Sequence, residues 1–405
     1  MQIFPILASL RHNKAGALLV SLQIAVTLAV LCNTMSIIQQ HLAAMRRPSG
    51  VDEANILTVR NQFVDESSDL KARMETDLTA LRSIPGVVDV EATPTYPLGG
   101  RGWSTDVHMQ PGQRNAVTIS NLYFVDEHAL DALGVKLVAG RWFRPDDVRD
   151  MRVNDTFKPA TTVITQTLAK QLFPKGDALG QTIYLFADDP ISVVGIIDRA
   201  QAPWADFGSD GDGPQRTSFV PVRIVDQPTY YVVRARPGQL AALLRAVPDR
   251  LYAISPSRIV DQVLTLSASR QKIYNRAHAS SLILEVISGL LLATTALGVI
   301  GLTTYWVGQR RRYIGIRRAL GARRADIVRY FHIENLLIAG LGAAVGVGLT
   351  ILANLYLVSH LEISRVGLVY VGIAAAIVLV LSQLSVLWPA LRASAIPPAI
   401  ATRGL

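Results

Sequence analysis

Four long apolar runs divide the chain, separated by polar stretches of very unequal length. The first covers residues 15–38 and carries no charge. The second covers 280–307 with Glu285 as its only charged residue, and the third and fourth, 335–358 and 366–388, are uncharged and come as a pair near the C-terminus. A helix needs roughly 20 consecutive apolar residues to cross the hydrocarbon core of a bilayer, so each run predicts a transmembrane helix. The first run exceeds the roughly 7–15 residues of a signal-peptide core and is followed by Gln39, Gln40 and His41 where small residues would mark a cleavage site. It is read as a retained anchor.

Residues 39–279 alternate strand-like and helix-like patterns. Asn55–Arg60 reads as a strand, Glu66–Ile84 as a helix, and Val87–Ala92 as a second strand after the Pro85-Gly86 break, which is a βαβ signal. Further strands are expected at Val117–Leu122, Val135–Val138, Thr161–Ile164, Thr182–Leu185, Ile191–Ile197, Phe219–Ile224, Tyr230–Arg236 and Arg258–Leu264. Helices are expected at Asp126–Leu133, Gln166–Phe173 and Leu240–Leu251, and one starting near Ser267 has no breaker before the second span. The Gly- and Asp-rich stretch 203–214 is the expected seam between two subdomains. The fold class is therefore an α-helical membrane protein with four transmembrane helices plus a large α+β domain of βαβ-type subdomains. Ahead of the first span, Ile3, Phe4, Ile6, Leu7 and Leu10 predict an amphipathic helix over 1–14 in the headgroup layer.

Charge supplies the orientation. The formal excess is +9, yet the long polar region between the first two spans carries nearly equal numbers of acids and bases. The excess concentrates in 308–334, where Arg310, Arg311, Arg312, Arg317, Arg318, Arg323, Arg324 and Arg329 fall between the second and third spans. The positive-inside rule places that loop and both termini in the cytoplasm and exports the 39–279 domain. It leaves a short outer turn at 359–365 and a cytoplasmic tail at 389–405. The basic excess is thus accounted for by topology and membrane lipid, and no nucleic-acid partner is expected. The only cysteine, Cys32, lies in the first span, so the exported domain folds without disulfides.

The loop itself predicts a short helix hinged at Gly315 and Gly321, with Ile314, Ile316 and Leu320 set among arginines. Two readings stand on composition: a helix that docks on a partner, since one so short is marginal alone in water, or a charge cluster that only sets topology. Gly342 and Gly346 form a G-x-x-x-G that predicts close helix packing. Glu285 is a candidate functional group inside a span or a carboxylate snorkelling to the interface. Asp206, Asp210 and Asp212 lack the spacing and closing glutamate of a calcium loop and read as a solvated turn. The scattered histidines show no metal-ligand spacing, no nucleophile and base pair is evident, and G-x-x-x-x-G-K-[ST] occurs nowhere. No catalysis, bound cofactor or metal is expected of these residues.

Tyr313-Ile-Gly-Ile-Arg-Arg-Ala-Leu-Gly-Ala322, preceded by Leu297-Gly-Val-Ile-Gly-Leu-Thr-Thr-Tyr305, resembles the signature of MacB-type and FtsX-like permeases of ABC systems. Gly134–Arg141, Thr167–Pro174 and Ser192–Ile197 resemble the periplasmic domain of that family, as Pro389–Pro398 resembles its C-terminal segment. One departure is Tyr313, where many relatives carry an acid. The resemblance implies that Gly315, Ile316, Arg317, Arg318, Ala319, Leu320, Gly321 and Ala322 form a coupling helix seated in an ATPase. Arg310, Arg311 and Arg312 would flank it at the membrane, with Glu334 at the foot of the third span. It further implies a bacterial inner-membrane location, a separate cytoplasmic ATPase that supplies ATP and Mg, and pairing with a second permease, identical or related. A periplasmic adaptor and outer-membrane channel follow if the chain serves MacB-like efflux. The alternatives are activation of a cell-wall hydrolase and release of lipoproteins.

Overall fold

The computed structural model describes residues 14–64, 69–153, 155–156, 158–186, 189–204, 213–361 and 366–397. The 1–14 amphipathic stretch apart from Lys14, the Asp206, Asp210 and Asp212 turn, residues 362–365 and the tail beyond 397 lie outside these. The chain forms two compact units, 44–277 and a helical unit made of the remainder.

Within the large unit, six elements alternate in two interleaved sets. Strand β1 (Ile56–Phe63), helix α2 (Leu70–Arg82) and strand β2 (Val87–Thr93) make the first set; α1 is the first long helix, Lys14–Arg46. The second set comes much later in sequence and comprises β11 (Thr229–Ala235), α5 (Leu240–Ile254) and β12 (Arg258–Thr265). The four strands order as β12-β1-β11-β2. Because β1 and β2 both run antiparallel to β11, they are parallel to each other with β11 inserted between, the split βαβ arrangement of ferredoxin-like folds. Leu57, Val59, Val90 and Val233 meet Met74, Leu78 and Leu81 of α2 and Leu243, Val247 and Leu251 of α5. On the other side Ile56 and Val232 join a second core containing Tyr123, Trp142 and Phe219. Burial on both faces explains why β1 lacks the clean alternation of a half-exposed strand.

An eight-stranded mixed sheet is inserted between β2 and β11. Its strands are β3 (Trp103–Val107), β4 (Thr118–Val125), β5 (Leu137–Gly140), β6 (Arg149–Met151), β7 (Thr161–Thr165), β8 (Thr182–Ile183), β9 (Ile191–Ile197) and β10 (Thr217–Ile224). Six of them order as β3-β4-β10-β7-β9-β5, with β6 on β10 and β8 on β9. Helices α3 (Ala129–Leu133) and α4 (Gln166–Leu172) connect them; Thr165 caps α4 by accepting a hydrogen bond from the Leu168 N–H.

This topology moves the expected seam. The 203–214 stretch joins β9 to β10, two strands of one sheet, whereas the chain passes between sheets at 94–102 and 225–228. A run of Gly and Asp marks a turn, but a subdomain boundary is set by which distant strands pair. The expected strands occur within a few residues; β3 and β6 were not anticipated.

The small sheet is locked by a buried ion pair. Asp77 of α2 accepts two hydrogen bonds from Arg258 of β12, at 2.7 and 3.0 Å, and one from the Tyr231 hydroxyl at 2.6 Å. Both charged side chains are at most 1% exposed, so removing either one strands a charge, at about 3–5 kcal/mol.

In the helical unit α1 is the most enclosed helix. The others are α6 (Leu266–Gln309), α7 (Arg311–Ala319), α8 (Arg324–Leu361) and α9 (Leu368–Ser394). Four of the five, α1, α6, α8 and α9, are long and apolar enough to cross a membrane. Polar contacts supplement van der Waals packing between them, as expected where no hydrophobic force drives helices together. Ser21 donates to the Ile338 carbonyl, Thr27 and Thr295 hydroxyls are 2.8 Å apart, and Asn335 donates to Ser382 at 2.7 Å. A Cβ on Gly342 would lie 2.7 Å from the Ser21 carbonyl oxygen, and one on Gly346 3.0 Å from that of Ala25. The two glycines therefore let α8 approach the backbone of α1.

Candidate functional site

The arginine-rich segment contains the expected short helix, Arg311–Ala319. Helix α7 runs through Gly315, which is buried within it, so the expected hinge there is absent. A helical glycine costs roughly 1 kcal/mol against alanine, a penalty that packing of the neighbouring Ile314 into the apolar core offsets. The break falls at Gly321, whose φ of +99° suits a residue without a Cβ. There the Gly321 N–H bonds the Arg318 carbonyl and the Ala322 N–H bonds the Arg317 carbonyl, the paired pattern of a Schellman cap. Leu320, Gly321 and Ala322 thus belong to the turn, and the helix itself begins four residues earlier than the expected Gly315 start.

Helix α8 also starts early. It begins at Arg324, 11 residues before the expected span at 335, with Asp326 reaching back to accept from the Arg323 N–H at 2.9 Å. The extra turns hold because Ile327, Phe331 and Ile338 bury one helical stripe.

Between these helices sits a buried ion pair. Arg310 donates to both carboxylate oxygens of Glu334, each at 2.9 Å, and to the Tyr330 hydroxyl at 3.3 Å, with its guanidinium 5.6 Å from the Trp306 ring centre. Glu334 is 1% exposed. The structure therefore brings Arg310 and Glu334 together, while Arg311 and Arg312 point to solvent. Arg318 turns the other way and donates to the carbonyls of Ser394 and Ile396, at 3.1 and 2.8 Å, at the C-terminal end of α9. Carbonyls there carry the negative end of the helix dipole. Arg317 lies over the rings of Tyr313 and Tyr330, at 4.8 and 5.5 Å. Tyr313 thus acts as a cation-π partner of Arg317. The roles of Trp306, Tyr330 and the α9 carbonyls were missed, because nothing in sequence spacing joins them.

Beside its exposed arginines, α7 and the turn that ends it leave a stripe of apolar side chains uncovered. Tyr313, Ile316 and Leu320 follow one another at helical spacing and are 49%, 46% and 83% exposed. Arg311, Arg312, Arg323 and Arg324, on either side in sequence, are exposed as well. Glu285 lies on an uncovered face of α6 with no ion-pair partner among the described residues, far along the helix from this cluster.

A second polar cluster, unanticipated from sequence, joins the two sheets of the large unit. Arg223 of β10 pairs with Asp126, Glu127 and Asp150, while Asp150 also meets Lys71 of α2. Asp89 of β2 pairs with Arg82 and His128. The hydrogen bond to Asp89 raises the His128 pKa. Burial opposes ionisation of Asp89, but the bonds from His128 and the Val90 N–H prevail and lower its pKa. Burial also raises Asp126, against the pull of Arg223. Glu91 is buried among them, and desolvation, reinforced by the Asp126 carboxylate, pushes its pKa well above the usual range. Among the described residues no group of three or more His, Cys, Asp or Glu side chains could hold a metal.

Comparison with known proteins covers almost the whole chain. Residues 17–249 match the MacB-like periplasmic core domain and residues 285–398 the FtsX-like permease C-terminal domain. The macrolide export ATP-binding/permease protein MacB of Neisseria gonorrhoeae is 28% identical over 254 residues, 60% of this chain and 36% of that protein. The protein of the same description from Rhodopseudomonas palustris strain HaA2 is 28% identical over 310 residues, 71% of this chain and 42% of that one. The chain thus spans well under half of either relative. Among solved structures, the periplasmic region of MacB from Actinobacillus actinomycetemcomitans matches at 17% identity with a TM-score of 0.35, over 57% of this chain and 98% of that one.

Proposed function

The chain belongs to the MacB-like, FtsX-like family of ABC-transporter permeases, and from that premise we propose that it is a mechanotransmitting subunit driven by a separate ATPase. Its arginine-rich helix faces the cytoplasm of a bacterial inner membrane, as does each terminus, and the large domain faces the periplasm. A cytoplasmic ABC subunit binds ATP and Mg and receives α7; two permeases, identical or related, share the assembly. The movement reaches the periplasm through α1 and α6, and the large domain expels a substrate there, working with an adaptor and an outer-membrane channel.

The observation that carries this reading is the exposed stripe of Tyr313, Ile316 and Leu320 within an arginine-rich segment. A charge cluster that only set topology would have no reason to present three large apolar side chains at helical spacing. Arg310–Glu334 and Arg318 anchor α7 to α8 and α9, so force on the stripe is passed to the spans. Helix α6 supports the transmission path, being 44 residues without a break. At 1.5 Å per residue that is about 66 Å, twice the roughly 30 Å hydrocarbon core.

The test is extraction of the tagged chain from its native membrane in mild detergent, with mass spectrometry of what accompanies it. An ATPase together with an adaptor supports efflux. An ATPase with a cell-wall hydrolase moves the function to signalling, and absence of any ATPase contradicts the coupling role. Replacing Arg317 and Arg318 by glutamate is expected to abolish transport while the large domain stays folded.

A further inference from the structure

The helical unit carries an open groove between α8 and α9 whose lining changes character along its length. Its lower part, of about 760 Å³, is lined by Arg324, Val328, Arg329 and His332 of α8 facing Leu391 and Ser394 of α9. Its upper part, of about 280 Å³, shares His332 and continues along Val380, Gln383, Leu384 and Leu387. On α8, Ala325, Val328, Arg329 and His332 fall at i, i+3, i+4 and i+7. On α9, Val380, Leu384, Leu387 and Leu391 fall at i, i+4, i+7 and i+11. Each set is therefore one helical face. The four α9 side chains are exposed, from 41% to 62%.

Most charges near this end of the helices are already used. Glu334 belongs to Arg310, Arg318 to the end of α9, and the Asp326 carboxylate caps the start of α8. Arg324 and Arg329 are exposed and have no ion-pair partner among the described residues. His332 is held across the groove by a 2.8 Å hydrogen bond to Gln383. The groove thus presents two uncommitted guanidiniums at its polar end and an apolar wall above. From Leu391 to Val380 that wall rises about 16 Å, close to the depth of one leaflet, about half of the 30 Å core. Trp388 and Arg392 on α9 are residue types that sit at the headgroup level.

We propose that this groove is a binding site for one anionic glycerophospholipid, its phosphodiester between Arg324 and Arg329 and an acyl chain along Val380, Leu384 and Leu387. Charge complementarity selects the headgroup, because a zwitterionic lipid offers the same chain but opposes the guanidiniums with its own cation. Free phosphate would satisfy the arginines and leave the apolar wall uncovered. The site requires only that α8 and α9 cross the membrane and is independent of any ATPase.

The test is native mass spectrometry of the full chain in detergent, with phosphatidylglycerol and phosphatidylcholine of identical chains added at equal concentration. The wild type is expected to retain phosphatidylglycerol preferentially. R324Q/R329Q is expected to lose about 30-fold of that preference at low ionic strength, from roughly 1 kcal/mol per basic residue. A charge-matched control on the large domain, R245Q/R250Q, is expected to keep it. Leu384→Trp, which fills the groove without changing charge, is expected to reduce retention of both lipids. Excess inorganic phosphate is expected to leave the bound lipid in place. Preference that survives R324Q/R329Q, falls equally in the control, or is abolished by inorganic phosphate alone would overturn the assignment.

Discussion

Glu91 stands out among the side chains because burial has left it little choice but to hold a proton. In the unfolded chain its carboxyl ionises near the ordinary value of 4.5; in the folded domain it does so only at much higher pH. Between those values the unfolded state binds fewer protons, so Glu91 makes the domain less stable as pH rises, by up to about 1.4 kcal/mol per pH unit. Glu91→Gln removes that slope. We predict little change near pH 4 and a gain that grows toward neutrality, measured by hydrogen exchange of β2 and β4 in the solubilised chain. A variant equally affected at both pH values would mean that Glu91 is ionised in the fold. Neither this residue nor the Asp77–Arg258 pair could be found from sequence. Their partners lie on other strands and helices, up to 181 residues away, and spacing along the chain carries no trace of such pairing.

The helices show what periodicity reveals and what it hides. The four spans were legible because hydrocarbon tolerates nothing but long apolar helices, a constraint strong enough to appear in any window of the sequence. The first turns of α8 were not, since Arg323, Arg324 and Arg329 masked the buried stripe of Ile327 and Phe331. Likewise β6, three residues long, and β3, mostly exposed, offered no alternation to detect. The G-x-x-x-G was legible, and its partner helix was not. Gly342→Leu must push a side chain into the Ser21 carbonyl. The expected cost is about 1–3 kcal/mol or more, read as a lower unfolding midpoint in detergent, whereas Gly348→Leu, with open space around it, should be near neutral. At the foot of α8, Arg310→Ala removes both guanidinium hydrogen bonds from the buried Glu334 carboxylate, with an expected loss of about 3–5 kcal/mol. Adding Glu334→Leu should recover most of it. A double variant as unstable as the single would show that the pair is not the source of the loss.

For the molecule as a whole, the family match covers both units, and the ferredoxin-like sheet with its inserted partner gives the large domain two cores that meet along β1 and β11. The chain order of those strands was out of reach of pattern reasoning, because β1 and β11 are consecutive in space and more than 160 residues apart in sequence. Sequence did reveal the arginine motif, and the structure adds how it is built: one arginine paired with the buried Glu334, one bonded to the carbonyls of α9, and an apolar stripe turned outward. The most direct measurement of the central claim is to place a photo-crosslinking residue at Leu320 and irradiate intact cells. An ABC ATPase covalently joined to this position, and absent when the same residue stands at Glu285, is the result predicted. Crosslinks from Leu320 to lipid or to an exported protein alone would contradict it.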